Sequence, residues 1–349
     1  MTDAPEPAPD RPRGPAVVVV GASAGGVEAL VALVGSLPAS FPHPILVVLH
    51  VSPAGTSVLP AILARAGRLH VVSATDGESL RPGHVYVAPP DSHLLVEDAR
   101  VRLSQAPREN GHRPAIDPTM RTAAASYDRA TIGIVLSGSR DDGTAGLIAI
   151  KARGGTAIVQ DPDEALYPAM PRSAIEHLTP DAVLPIGAMA AWILRHGPNT
   201  HPPGSEPDMA FEHNTDDPRL ALAEDGGEAP HTAAGRGTRF TCPDCGGVLF
   251  ERREGNLERF ECSIGHVFSI ESLSNAQAES LENALWAAVR ALEDRAAMLK
   301  RLAGRADGGN HRRSAKTFER QAEEALARSA TIRDAIERST GDQALAAES

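Results

Sequence analysis

Three polar side chains stand directly after three short apolar runs. Ser23 lies within Gly21-Ala22-Ser23-Ala24-Gly25-Gly26, His50 follows Ile45–Leu49, and Asp142 lies within Ser137-Gly138-Ser139-Arg140-Asp141-Asp142-Gly143. Brought together, these types form a nucleophilic triad, in which the imidazole takes the hydroxyl proton and the carboxylate fixes its tautomer and stabilises the imidazolium. The small neighbours of Ser23 let a substrate carbonyl approach a tight strand-to-helix turn and leave backbone N–H groups free to bind an oxyanion. A rival reading takes the same glycines as a phosphate-cradling loop, since the run is a near miss to the dinucleotide fingerprint. Two features weigh against it: the second apolar run ends in His50 rather than in an acidic residue that would hold a ribose, and the third loop residue is a serine. A histidine at a strand end is by itself more often a structural hydrogen-bond partner than a base. The ordered trio is what favours the chemical reading.

A second constellation lies further along the chain. All three cysteines fall within residues 242–262, as Cys242-Pro243-Asp244-Cys245 and Cys262, and His266 follows. Three cysteines cannot pair evenly, so reduced metal-binding thiols in a cytosol fit better than a disulfide framework. Two close ligand pairs joined by a short hairpin suit a tetrahedral Zn²⁺ site. Four protein ligands fill the coordination sphere, which leaves no place for an activated water and makes the zinc structural. The plain alternative is a chance Cys-x-x-Cys with an unrelated Cys and His.

The trio needs a scaffold that collects strand ends. From Ala16 to about Leu194, apolar runs alternate with segments of helical period, the pattern of βα units. The expected strands are Ala16–Val20, Pro44–Leu49, His84–Ala88, Thr131–Leu136, Thr156–Val159 and Ala182–Pro185. Several are apolar throughout, which implies a mostly parallel sheet, doubly wound, with helices on both faces. Helices are expected at Gly26–Leu33, Ser57–Ala66, Pro118–Tyr127, Gly143–Lys151 and Pro171–His177, and a hairpin appended to the sheet at Leu94–Leu103. In such a sheet, chemistry sits at the carboxyl ends of the strands.

At 349 residues the chain is long for one core and comfortable for two. Its composition, with 42% hydrophobic and 3% aromatic residues, favours α/β over all-β architecture. A net charge of −11 argues against nucleic acid as a partner, because phosphate tracking needs clustered cations. Residues 1–15 hold no signal-peptide pattern and read as a disordered tail. No apolar run approaches the roughly 20 residues that cross a bilayer, so membrane insertion is not expected and the protein reads as cytoplasmic. Residues 16–195 form the expected catalytic domain, 196–236 an acidic disordered linker, 237–270 a zinc ribbon and 271–340 a helical hairpin or coiled coil. In the first helix of that hairpin, Leu281, Leu285, Ala288, Leu292, Arg295, Leu299 and Leu302 make one seam. In the second, Phe318, Ala322, Leu326, Ile332 and Ile336 are less regular. Such helices could join two copies as a homodimer.

The motifs carry a resemblance. Gly21–Gly26, the strand closing at His50 with Pro53 behind it, Arg81-Pro82-Gly83-His84-Val85-Tyr86-Val87-Ala88-Pro89-Pro90-Asp91, Leu136-Ser137-Gly138 with Asp142-Gly143, and Tyr167-Pro168-Ala169-Met170-Pro171 resemble the catalytic domain of the CheB-type protein-glutamate methylesterases over about residues 16–195. The resemblance implies Ser23 as nucleophile, His50 as base and Asp142, rather than Asp141, as the orienting carboxylate. It implies oxyanion-binding backbone N–H groups at Ala24 and Ser139. The implied reaction is hydrolysis of glutamyl methyl esters on a methylated chemoreceptor or related signalling protein, with glutamine deamidation by the same acyl-enzyme route and no cofactor for catalysis. Residues 1–15 are too few for the receiver domain of regulated members. The alternative is a catalytically silent scaffold of a chemosensory or two-component complex. The composition of the linker further suggests that ending the chain near residue 200 leaves a folded, active esterase, and a purely structural zinc implies that its removal unfolds the ribbon but leaves small-ester turnover nearly unchanged.

Overall fold

The computed structural model describes residues 16–197, 236–254, 257–309 and 311–347. The expected N-terminal tail and nearly all of the acidic linker lie outside the described residues.

Seven parallel strands form the main sheet: β1 (Val17–Ala22), β2 (Ile45–Leu49), β3 (His70–Ser73), β4 (His84–Val87), β7 (Thr131–Val135), β8 (Thr156–Gln160) and β9 (Ala182–Leu184). Their order is β3-β4-β2-β1-β7-β8-β9. Alternation along β1 divides the core into two layers, because successive side chains of a strand point to opposite faces. Val18 and Val20 pack with Leu30 and Leu33 of α1 (Gly26–Ser36), Leu63 of α2 (Leu59–Ala66) and Met189 and Ile193 of α6 (Ile186–His196). Val17 and Val19 pack with Met120 of α3 (Ile116–Tyr127), Leu147 and Ile150 of α4 (Thr144–Ala152) and Met170 of α5 (Ala169–His177). Both faces are covered, as the unbroken apolar runs require.

β1 is the topological switch. The chain leaves it on one side toward β2 and later returns to its other edge as β7, so connections diverge at its carboxyl end.

The hairpin expected at Leu94–Leu103 is present as β5 (His93–Glu97) and β6 (Arg100–Ser104), turning through Asp98 and Ala99 with φ of 47° and 60°. It forms its own two-stranded sheet instead of joining the seven-stranded one. It is tied to α3 by the Thr119 hydroxyl donating to the Leu94 carbonyl at 2.6 Å and the Ser126 hydroxyl donating to that of Val96 at 3.0 Å. Two further elements, β3 and α6, have no counterpart among the expected ones.

Residues 236–269 form a four-stranded antiparallel ribbon: β10 (Arg236–Thr241), β11 (Val248–Glu254), β12 (Leu257–Cys262) and β13 (Val267–Ser269). It belongs to the same compact unit as the large sheet, which runs to Leu273. Leu257 packs against Ala145 and Ile148 of α4.

A second compact unit begins at Ser274 and holds most of α7 (Ile270–Gly308) and all of α8 (Arg312–Ala347). These helices run antiparallel: Ala296 and Leu299 pack against Ala322 and Ala325, while Glu293 accepts from Ser329 and Arg333 further along α8. Leu292, Leu299, Phe318 and Ala322 of the expected seams lie in this contact, whereas Leu281 and Leu326 are 62% and 37% exposed. No helix among the described residues is long and apolar enough to cross a membrane.

Candidate active site

Ser23 occupies the turn between β1 and α1. Gly25 takes the left-handed conformation, φ 67°, that this tight exit needs. The Ser23 N–H donates to the Ser137 carbonyl at 3.0 Å, joining this turn to the loop after β7. His50 follows β2, its N–H donating to the Ala22 carbonyl at 3.3 Å. Three neighbouring strands therefore deliver Ser23, His50 and Asp142 to one edge of the sheet.

His50 Nδ1 lies 3.1 Å from Ser23 Oγ, and His50 Nε2 lies 2.7 Å from Asp142 Oδ2. An ionised carboxylate can only accept, so Nε2 carries the proton and Nδ1 is the acceptor for the serine hydroxyl. The ring is turned relative to the usual serine-protease triad, in which Nε2 faces the serine. Either nitrogen supplies the same basic lone pair.

The Asp142 carboxylate is held at both oxygens. Oδ2 also accepts from the Ile116 N–H at 2.7 Å, and Oδ1 accepts from Asn110 Nδ2 at 3.0 Å and from the N–H groups of Asp117 and Gly143 at 3.2 and 3.1 Å. Burial alone would raise its pKa. The hydrogen bond and charge of His50, followed by the Ile116 N–H, instead hold it well below the usual carboxylate range. Asp141 faces elsewhere and accepts from the Ser272 hydroxyl at 2.9 Å. Only Asp142 of the adjacent pair reaches the imidazole.

A second buried carboxylate lies behind the first. Asp117 accepts from the N–H groups of Gly143 and Gly146 at 2.9 and 2.7 Å, and from Asn110 Nδ2 and Arg259 Nη1, both at 3.1 Å. Burial, and next the charge of Asp142, push its pKa upward, while the Arg259 guanidinium pulls it down. Neither Asn110, Asp117 nor Arg259 carries a distinguishing signal in the sequence. Asn110 and Asp117 stand in the polar run that leads into α3, which reads as an ordinary loop and first turn. Arg259 is one of several arginines in the ribbon, and nothing local distinguishes it.

Among the described residues, the N–H groups of Ala24 and Ser139 have no hydrogen-bond acceptor. Ser137 Oγ donates to the Ala24 carbonyl at 2.8 Å and accepts from the Tyr167 N–H at 2.9 Å, bracing both loops against the Tyr167–Pro171 segment. Gly138 fits beneath Ser23 only without a side chain. An added Cβ would lie 2.0 Å from Met170 Sδ and 2.9 Å from Ser23 Cβ. Gly138→Ala is therefore expected to cut ester turnover by about 10- to 100-fold, the scale of a misplacement near 1 Å. Steady-state kinetics on a small ester checks this, and unchanged turnover would mean that the loop can shift without disturbing Ser23.

His112 stacks on His50, with centroids 3.7 Å apart and planes inclined by 8°. Burial, and then the proximity of His50, push its pKa down to about 3, so it stays neutral and does not repel an imidazolium. Beside the pair opens a cleft of about 370 Å³ lined by Pro53, Arg108, His112 and Arg113. Asp91 fixes Arg113 at 2.7 Å.

Cys242, Cys245, Cys262 and His266 place their ligand atoms within 4.8 Å of one another. Cys245 Sγ and Cys262 Sγ are 3.7 Å apart, and His266 Nδ1 lies 3.7 and 3.5 Å from the sulfurs of Cys242 and Cys262. Metal–sulfur bonds of about 2.3 Å give tetrahedral edges of about 3.8 Å, so the four atoms fit a zinc tetrahedron. Burial pushes the Cys242 thiol pKa up, and a bound cation reverses that by stabilising the thiolate.

Comparison with known proteins is specific for residues 18–193, which match the family model described as CheB methylesterase. A relative from Leptospira interrogans is 39% identical over 179 residues, covering 51% of this chain and 93% of its own length. A protein from Anaeromyxobacter dehalogenans named protein-glutamate methylesterase/protein-glutamine glutaminase 2 is 41% identical, covering 51% of this chain and 52% of its own. The chain thus spans about half the length of some of the relatives it matches. The crystal structure of the Thermotoga maritima CheB methylesterase catalytic domain is similar with a TM-score of 0.51 and 36% identity, covering 52% of this chain and 98% of that one.

Proposed function

Because the chain belongs to the CheB methylesterase family, we propose that it is a serine hydrolase that removes methyl esters from glutamate side chains of chemoreceptor-type proteins. The hydrogen-bonded series from Ser23 through His50 to Asp142, at 3.1 and 2.7 Å, carries this reading.

In the proposed reaction Ser23 Oγ attacks the ester carbonyl as its proton passes to His50 Nδ1. The oxyanion of the tetrahedral intermediate is received by the N–H groups of Ala24 and Ser139. Collapse breaks the bond to the methoxy oxygen, which takes the proton from His50 and leaves as methanol. Water, deprotonated by the same imidazole, then cleaves the acyl-enzyme to release glutamate and restore the serine. Glutamine is deamidated by the same steps, with ammonia as the leaving group. Asp142 stabilises the imidazolium throughout.

The domain reading is part of the proposal: residues 16–195 carry catalysis, 237–270 hold a structural zinc ion, and 271–340 supply a helical contact, with a second copy of the chain as the simplest occupant.

A fluorophosphonate probe separates an enzyme from a silent scaffold. One equivalent is expected to attach at Ser23, with none on Ser23→Ala. A folded protein that takes up no probe would favour the scaffold.

A further inference from the structure

The ribbon touches the residues that lie directly behind Asp142. Alternation along β12 puts Leu257 and Arg259 on one face; Leu257 packs on α4, and Arg259 enters the layer behind Asp142 with its side chain only 3% exposed. There it donates to Asp117 at 3.1 Å and also pairs with Glu109, which Arg121 holds from the other side at 2.6 Å. A second, independent tie runs through Asn110, the side chain that donates to both Asp142 and Asp117. The Asn110 N–H donates to the Val267 carbonyl at 2.7 Å, and its Oδ1 accepts from the Ser269 N–H at 3.1 Å. Both partners belong to β13.

We propose that the metal-held ribbon is a working part of the esterase, with Arg259 as a positioning residue that acts through Asp117 to keep the Asp142 carboxylate set for His50. The physical need is local charge balance. Asp117 and Asp142 are both buried and share the Asn110 amide and the Gly143 N–H. Without Arg259 the rear carboxylate loses a direct cationic partner. A buried carboxylate left short of charge must take up a proton or draw donors away from its neighbour. Either change reshapes the shared donors that hold Asp142. The metal enters because the two strands that reach the catalytic layer end at its ligands: β12 closes at Cys262, and β13 begins directly after His266. Metal loss releases both strands together, since binding energy in such modules is largely folding energy. The linker's composition pointed to a dispensable C-terminal half; these contacts assign part of it to the site.

The inference rests on the esterase reading, and wild-type turnover of a small methyl ester is the control that keeps the two apart. The experiment uses full-length protein with its zinc content measured, and variants Arg259→Met, Arg259→Lys and Asp117→Asn, alone and combined. The readouts are kcat and KM on a small ester and the low-field proton resonance of the His50–Asp142 hydrogen bond. Arg259→Met is expected to retain zinc, lose about 10- to 100-fold in kcat with little change in KM, and broaden or shift the resonance. Asp117→Asn in that background should recover part of the loss, because it removes the uncompensated charge while its NH₂ faces the Asn110 amide; such coupling is one that independent sites would not show. Arg259→Lys should fall between, restoring charge without the planar fork. Should Arg259→Met fail to fold, chelation of wild-type protein gives the same test, with kcat and the resonance falling together as zinc is lost. Wild-type kcat in zinc-loaded Arg259→Met, a loss that Asp117→Asn does not relieve, or full turnover after verified zinc removal would each overturn the proposal. If wild-type protein hydrolyses no ester, the functional reading fails while the resonance still reports on positioning.

Discussion

Ser23→Ala is expected to lower ester hydrolysis by several orders of magnitude, about 10⁴- to 10⁶-fold, in a protein that keeps its fold. In the proposed reaction the serine oxygen forms the acyl bond, and no other nucleophile among the described residues lies within hydrogen-bond reach of His50 on that side. Residual catalysis would come from the oxyanion donors and from substrate placement. His50→Ala should cost a similar amount, and the double variant little more than either, because members of a triad act as a unit. Fold retention follows from position: Ser23 lies in a turn and His50 at a strand end, and neither fills the core layers on either side of β1. Circular dichroism and single-turnover kinetics on one preparation check both halves of the expectation.

Asp142→Asn should be the next most damaging change, about 10³- to 10⁴-fold, because an amide in place of the carboxylate disfavours the tautomer with the Nε2 proton toward residue 142. It also presents an NH₂ to a ring of donors, Asn110 Nδ2 and the N–H groups of Ile116, Asp117 and Gly143, that now converge on two acceptor oxygens. Asp141→Asn should leave turnover within a few-fold of wild type, since its carboxylate faces Ser272 and not the imidazole. Comparison of kcat for the two variants decides between adjacent residues. A damaging Asp141→Asn beside a nearly silent Asp142→Asn would move the orienting role by one position.

Much of this was legible in the sequence where a local rule met a strong signal. Val17–Val20 and Ile45–Leu49 are apolar without interruption, which only a strand covered on both faces tolerates, and the polar residues that end such runs mark the reactive edge. β3 escaped because it is four residues long at the sheet edge, with His70 and Ser73 exposed. α6 carried a readable period, Ile186, Met189, Ala190 and Ile193 at spacings of three and four, close behind a strand and Pro185. The clustering of Cys242, Cys245, Cys262 and His266 was legible from spacing alone. Arg259 was not, because its meaning depends on a carboxylate 142 residues away, and no local pattern records which arginine of a ribbon will be buried against an acid. Asn110 and Asp117 fall between these cases: their polarity was visible, but their convergence on Asp142 is a property of the tertiary fold.

The most direct measurement of the central claim is methanol released from a methylated receptor cytoplasmic fragment by the wild-type chain and by Ser23→Ala, at equal concentration and with equal zinc content. Steady release is expected from the wild type, with the receptor's methyl esters converted to glutamate, and release by Ser23→Ala indistinguishable from the uncatalysed background. Equal release by the two proteins, or none from a folded, zinc-loaded wild type, would contradict it.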